Sequence, residues 1–169
     1  MYNPSDDSFF FADFLKEYFS KLKNKNISYL DIGAGSGILA ETAIQAKIKN
    51  ILASDKDLES VKYIKLKGIN AVHSDFFSDI KMKFDIISFN APYLPESEYD
   101  TESDTAGGKR GDETALEFLR QAKSNLNSNG KIFLLISSLT PLNRIKKFKP
   151  KIVARKKLFF EILYILGFS

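Results

Sequence analysis

The sequence has no cysteine, no tryptophan and a single histidine. Without cysteine there is no disulfide framework and no thiolate zinc site, and no metal ligand set is expected. His73 is the one imidazole, so Ser-His-Asp chemistry would have to run through it. No nucleophile elbow accompanies it, and at the end of a strand-like segment it reads as structural. No apolar run approaches the ~18–20 residues that span a membrane. The opening Met1-Tyr2-Asn3-Pro4-Ser5-Asp6-Asp7 is polar and acidic, unlike the basic start and apolar stretch of a signal peptide. These absences point to a soluble, cytoplasmic protein with no membrane association. What is present is an ordinary globular balance: 169 residues, 44% hydrophobic, with 15 Phe, enough for a real core. Residues 1–169 read as a single domain.

The net charge of +4 comes with a late basic cluster, Lys146, Lys147, Lys149, Lys151, Arg155, Lys156 and Lys157. A solvated surface explains it adequately, and contact with nucleic acid is the sharper alternative.

Helix and strand alternate along the chain without repeats or linkers. Asp6-Asp7-Ser8 can cap a helix to about Lys23, with Phe10, Phe14, Leu15, Tyr18, Phe19 and Leu22 on one side. Strands are expected at Ile27–Ile32, Asn50–Ser54, Ile69–His73, Phe84–Phe89 and Lys131–Ser137. Helices fall between them at Ile38–Lys47, Leu58–Lys67 (stopped by Gly68) and Asp112–Leu126, with a short one at Leu142–Phe148. Strands at Lys151–Lys156 and Phe159–Leu166 end the chain. Helical crossovers imply parallel strands, whereas the last two are joined too tightly for a crossover and must pair antiparallel. The expected fold is α/β: a seven-stranded, mostly parallel, doubly wound sheet closed by a C-terminal antiparallel hairpin. The polar segment from Ala91 to Gly111 is long for a compact domain, which marks it as functional or disordered.

A ligand site is expected at the carboxyl ends of these strands. Leu30-Asp31-Ile32-Gly33-Ala34-Gly35-Ser36-Gly37 follows the first strand, and its glycines permit close backbone approach and positive φ. Ile38 stands where the third glycine of a dinucleotide fingerprint belongs, which argues against NAD. Asp31 can hold the amino group of a bound amino acid. Asp55, ending the second strand, can accept from both hydroxyls of a ribose. Asp75, ending the third, can accept from an adenine amino group, with Phe76 beside the ring. Any one of these acids could be a cap or turn residue; all of them at strand ends, with the glycine turn, form a coherent set.

The fourth strand ends in Phe89-Asn90-Ala91-Pro92-Tyr93. An amide nitrogen is a poor nucleophile because its lone pair is delocalised, so a site that alkylates it needs acceptors gripping both N–H bonds. The Asn90 side-chain oxygen and the Ala91 carbonyl can serve. Pro92 restricts Ala91 to extended conformations, and Tyr93 can pack on a planar target. Catalysis would then come from orientation and preset acceptors.

Asn90-Ala91-Pro92-Tyr93 resembles the (Asp/Asn)-Pro-Pro-Tyr motif of amino methyltransferases, one residue off: Ala91 keeps the carbonyl and loses the rigidity of a first proline. The fold expected above is similar to that of Rossmann-like class I methyltransferases. Tyr2-Asn3-Pro4-Ser5-Asp6-Asp7-Ser8-Phe9 resembles the Tyr-Glu-Pro-Ser-Glu-Asp-Ser/Thr-Phe opening of one branch. Gly107-Gly108-Lys109-Arg110-Gly111-Asp112-Glu113 resembles its Gly-Gly-x-x-Gly-x-Glu segment, and Glu161-Ile162-Leu163-Tyr164-Ile165-Leu166 its final strand. The branch is the archaeal and eukaryotic HemK-like release-factor glutamine methyltransferases. The resemblance implies S-adenosylmethionine as cofactor, held by Ser8, Asp31, Gly33, Gly35, Asp55, Asp75, Phe76 and Asn90. It implies N5-methylation of the glutamine in the Gly-Gly-Gln motif of a class I release factor, with Asn90, Ala91, Pro92 and Tyr93 on the target amide and Gly107–Glu113 shaping the entrance. It further implies a heterodimer with a small zinc-binding activator that adds a strand beside the third strand, near Ile69, Ala71 and Val72. Adenine-N6 or guanine-N2 methylation of DNA or RNA, protein lysine methylation and a non-catalytic cofactor-binding subunit remain as alternatives.

Overall fold

A computed structural model describes residues 4–93 and 110–169. Helix α1 spans Asp6–Lys21, followed by β1 (Ser28–Ile32), α2 (Ile38–Gln45), β2 (Asn50–Asp55), α3 (Leu58–Leu66), β3 (Ala71–His73) and β4 (Phe84–Asn90). After the undescribed segment come α4 (Glu113–Ala122), β5 (Leu126–Ser137), α5 (Leu142–Ile145), β6 (Lys151–Lys157) and β7 (Ile162–Phe168). The strands form a seven-stranded sheet in the order β3-β2-β1-β4-β5-β7-β6. β1 to β5 are parallel, and β7 runs antiparallel to both β5 and β6.

Alternation along the strands sorts the core between two faces. Leu30, Ile87, Phe89, Leu134 and Ile136 point to the face covered by α4 and α5, where Phe118, Leu119 and Ile145 meet them. Tyr29, Ile86, Phe133 and Leu135 point to the opposite face, against Phe11, Leu15 and Phe19 of α1 and Leu39 of α2. Helix α3 closes that face at the β2 end, through Ile64 on Ala40 and Ala53. The parallel run reverses its direction of growth between β1 and β4, so a crevice opens at their carboxyl ends.

Three local expectations are corrected. The fifth strand begins at Leu126 instead of Lys131, directly after a 3-10 turn, Lys123–Asn125, that extends α4. Asn129 (φ +64°) and Gly130 lie within that strand, where the β4–β5 register jumps between Phe84 and Ile86. The last strand begins at Ile162, because a turn closed by Leu158 N–H to Glu161 O, 2.8 Å, consumes Phe159 and Phe160. Ile69 precedes β3 and is buried with Ala34, Ala40 and Ile64, so it is core and not sheet edge; Ala71 and Val72 do lie on the edge strand.

Candidate active site

The turn from β1 into α2 shapes the floor of the crevice. Gly33, Gly35 and Gly37 have φ of +60°, +53° and +82°, a conformation side chains disfavour. Gly33 is also a close approach: a Cβ there would meet Phe89 Cε2 of β4 at 2.9 Å. Asp55 holds the turn. Its Oδ2 accepts from Gly35 N–H and its Oδ1 from Asp57 N–H, both at 2.8 Å. Each oxygen keeps a further lone pair, as hydrogen bonds from two hydroxyls would require.

Asp31 is buried at the end of β1. Ser88 of β4 lies opposite it and donates to Asp31 Oδ1 at 3.3 Å; Ser88 in turn pairs with the Tyr29 hydroxyl at 2.5 Å. Asp31 Oδ2 is buried without a hydrogen-bond partner among the described residues. Burial raises this carboxyl to about 8, and the nearby Asp55 charge pushes the same way. A buried, half-satisfied carboxyl facing a cleft suits a cationic ligand group.

Asp75 and Phe76 follow β3 and line the same crevice. Phe76 takes φ +48°, a left-handed backbone rare for a bulky residue and typical of functional sites, and its ring stands edge-on to Phe89 with centroids 5.8 Å apart.

Asn90 closes the fourth side. Its Nδ2 donates to Asp7 Oδ2 at 3.1 Å, and its Oδ1 is buried with no hydrogen-bond partner among the described residues. Ala91, Pro92 and Tyr93 continue along the rim.

Ser8, Asp31, Gly33, Gly35, Asp55, Asp75, Phe76, Asn90, Ala91, Pro92 and Tyr93 all line this one crevice. His73 lies outside it, its Nε2 2.9 Å from the Lys56 carbonyl. Tyr2, Asn3 and Gly107–Lys109 lie outside the described residues. Sequence reasoning missed Asp7 and Thr114, which also line the crevice. Asp7 read as a helix cap; its neighbour Ser8 and its place in the opening motif were the available signal. Thr114 had none, since only the packing of α4 brings its first turn to the site. Asp112, at the start of α4, makes no side-chain cap, because its carboxylate instead takes the Arg144 guanidinium of α5 on both oxygens.

The model of the family described as "Methyltransferase small domain" matches residues 11–164. A Methanocaldococcus jannaschii protein, named as a candidate protein N5-glutamine methyltransferase, is 34% identical, over 99% of this chain and 90% of its own. The release factor glutamine methyltransferase of Rhodopirellula baltica is 28% identical over 65% of this chain, which spans 44% of that protein. Among solved structures, the Thermus thermophilus 16S rRNA N2 G1207 methyltransferase, in complex with AdoMet and guanosine, superposes with a TM-score of 0.65 at 20% identity. That alignment covers 99% of this chain and 44% of the larger protein.

Proposed function

The chain belongs to the methyltransferase small domain family, a methyltransferase using S-adenosylmethionine, and we propose that it methylates the side-chain amide of the glutamine in the Gly-Gly-Gln motif of a class I translation release factor. The carrying observation is Asn90 Oδ1, a buried acceptor without a partner among the described residues, at the end of β4. Leaving a buried acceptor empty costs ~1–3 kcal/mol, which a substrate N–H recovers. The names of the Methanocaldococcus and Rhodopirellula relatives support glutamine as the target.

The residues fit the cofactor. The unpartnered Asp31 Oδ2 suits the ammonium of its amino-acid end, with Ser8 beside it; Asp55 suits the ribose, and Asp75 with Phe76 the adenine. Gly33 and Gly35 leave room for backbone approach. Held by these residues, S-adenosylmethionine would supply an electrophilic methyl carbon on a sulfonium, a good leaving group. The chain's own work is to orient the nitrogen. Asn90 Oδ1 and the Ala91 carbonyl accept its two N–H bonds, which aims the lone pair and draws electron density onto nitrogen. Pro92 keeps that carbonyl in place, and Tyr93 covers the planar amide. One N–H proton leaves to water as the new bond forms.

A small zinc-binding activator pairing with β3 belongs to the same reading. β3 is three residues long and forms the sheet's edge, with Ala71 and Val72 half-buried. Methylation of a nucleobase is the second reading. It is favoured by the other end of the sheet, where Phe159 and Phe160 are 91% and 88% exposed beside Arg155 and Lys157.

Incubation with S-adenosylmethionine, a class I release factor and the activator, followed by peptide mass spectrometry, tests the proposal. Methyl on the Gly-Gly-Gln glutamine is expected; methyl appearing only on RNA or DNA in parallel reactions overturns the substrate. Asn90→Ala should cut transfer at least ~10²-fold, far more than it weakens cofactor binding.

A further inference from the structure

We propose that Asp7 is a positioning residue: through its contact with Asn90 it sets which end of that amide faces the substrate. The N-terminus of α1 and the motif strand therefore build the acceptor jointly. The inference rests on the reading that Asn90 receives the target nitrogen.

An Asn side chain carries an acceptor and a donor of nearly equal shape, and only its partners decide which way round it sits. Here the partner is a carboxylate. Asp7 is 5% exposed in the first turn of α1, and its Oδ2 takes Asn90 Nδ2 at 3.1 Å. A carboxylate oxygen accepts and does not donate, so Nδ2 is drawn to Asp7 and Oδ1 becomes the end left for the substrate. The polarity is fixed one step further back. Asp7 Oδ1 takes the Ser8 backbone N–H and the Ser5 hydroxyl, each at 2.6 Å, and the Ser8 hydroxyl at 3.2 Å. A backbone N–H can only donate. Direction therefore runs from the Ser8 amide through Asp7 to Asn90.

This relay makes the nearly isosteric Asp7→Asn change informative. The new amide must turn its oxygen to the Ser8 N–H, which leaves its NH2 facing Asn90. Asn90 then turns over to accept, and its own NH2 meets the substrate N–H: donor against donor. Adding Asn90→Asp repairs the relay, because a carboxylate accepts from the new NH2 on one oxygen and offers the other to the substrate. Asn90→Asp alone sets two carboxylates at hydrogen-bond distance and should be poorly active.

Wild type, Asp7→Asn, Asn90→Ala and the Asp7→Asn/Asn90→Asp double variant are compared for kcat on the release factor, S-adenosylmethionine Kd, and the 15N NMR signal of the Asn90 side-chain amide. Asp7→Asn should lower kcat ~10²-fold with cofactor Kd within about threefold, and the double variant should recover at least about tenfold. The Asn90 amide protons should lose their protection from exchange in Asp7→Asn. Asp7→Asn activity within about threefold of wild type, a double variant no better than Asp7→Asn, or a loss confined to cofactor Kd overturns the inference. An inactive Asn90→Ala beside a fully active Asp7→Asn sinks this inference alone, whereas a fully active Asn90→Ala removes the reading beneath it. If wild type does not methylate the release factor, the NMR comparison decides: an Asn90 amide unchanged in Asp7→Asn overturns the relay.

Discussion

At the scale of single residues, Asp31, through its proposed contact with the cofactor, makes ligand binding depend on pH. Its folded-state value of about 8 lies far above the ordinary 3.8, chiefly through burial. Between about pH 4 and 8 the folded chain keeps a proton that the unfolded chain has released, so this group's contribution to stability falls as pH rises through that window. Asp31→Asn should therefore melt several degrees higher than wild type at pH 9, measured by calorimetry without cofactor. A cationic ligand group needs the carboxylate charged. S-adenosylmethionine affinity should accordingly weaken by up to about tenfold per pH unit below pH 8, and weaken again above it as the ligand's ammonium loses its proton. Titration calorimetry showing a Kd constant from pH 6 to 8 would refute the contact. Asp31 was singled out in the sequence only as one of a set, acids at successive strand ends beside a glycine turn, and the structure brings that set to one crevice. Asp7 was misread, because a helix start accounts for a carboxylate equally well until Asn90 is seen against it.

Single elements meet the site through two joints. The glycine turn presses on β4, so Gly33→Ala should cost about 1–2 kcal/mol and weaken cofactor binding, from strain at φ +60° and the 2.9 Å contact with Phe89. Phe89 has little room to yield, since its ring packs against Phe118 with centroids 4.9 Å apart. Denaturant melts of the variant check the first effect; an unchanged midpoint would mean Phe89 moves freely. The second joint ties α4 to α5. Arg144→Ala leaves the Asp112 carboxylate, 1% exposed, without its cation. The variant should melt at a lower temperature than wild type, by less than loss of a fully buried pair would cause because Arg144 itself is 39% exposed. Periodicity made these helices legible to within a few residues, but not that Asp112 would abandon its cap for an arginine thirty-two positions away. Such a pairing is a product of docking, invisible to local propensity.

Across the whole molecule, the sheet has unlike edges. β6 carries Lys151, Arg155 and Lys157 exposed, the usual guard against edge pairing. β3 lacks that guard at Ala71 and Val72. Asn70 O and Ser74 N–H bond β2, so the parallel pattern sends the Ala71 and His73 amides outward. In the isolated chain these amides should exchange rapidly with deuterium and become protected when the zinc-binding activator is added; no change would argue against strand addition there. The alternation of apolar residues with turns by itself determined the layered α/β sheet and its closing hairpin, because burial of alternate side chains admits few other solutions. Glycine spacing and acids at strand ends likewise pointed to the carboxyl edge, where the crevice lined by these residues opens. Only the tertiary structure decided which end of Asn90 is held by Asp7, how far Asp31 is desolvated and where β5 slips its register. Those depend on what packs against each residue from distant parts of the chain, and a linear order of side chains does not contain those distances.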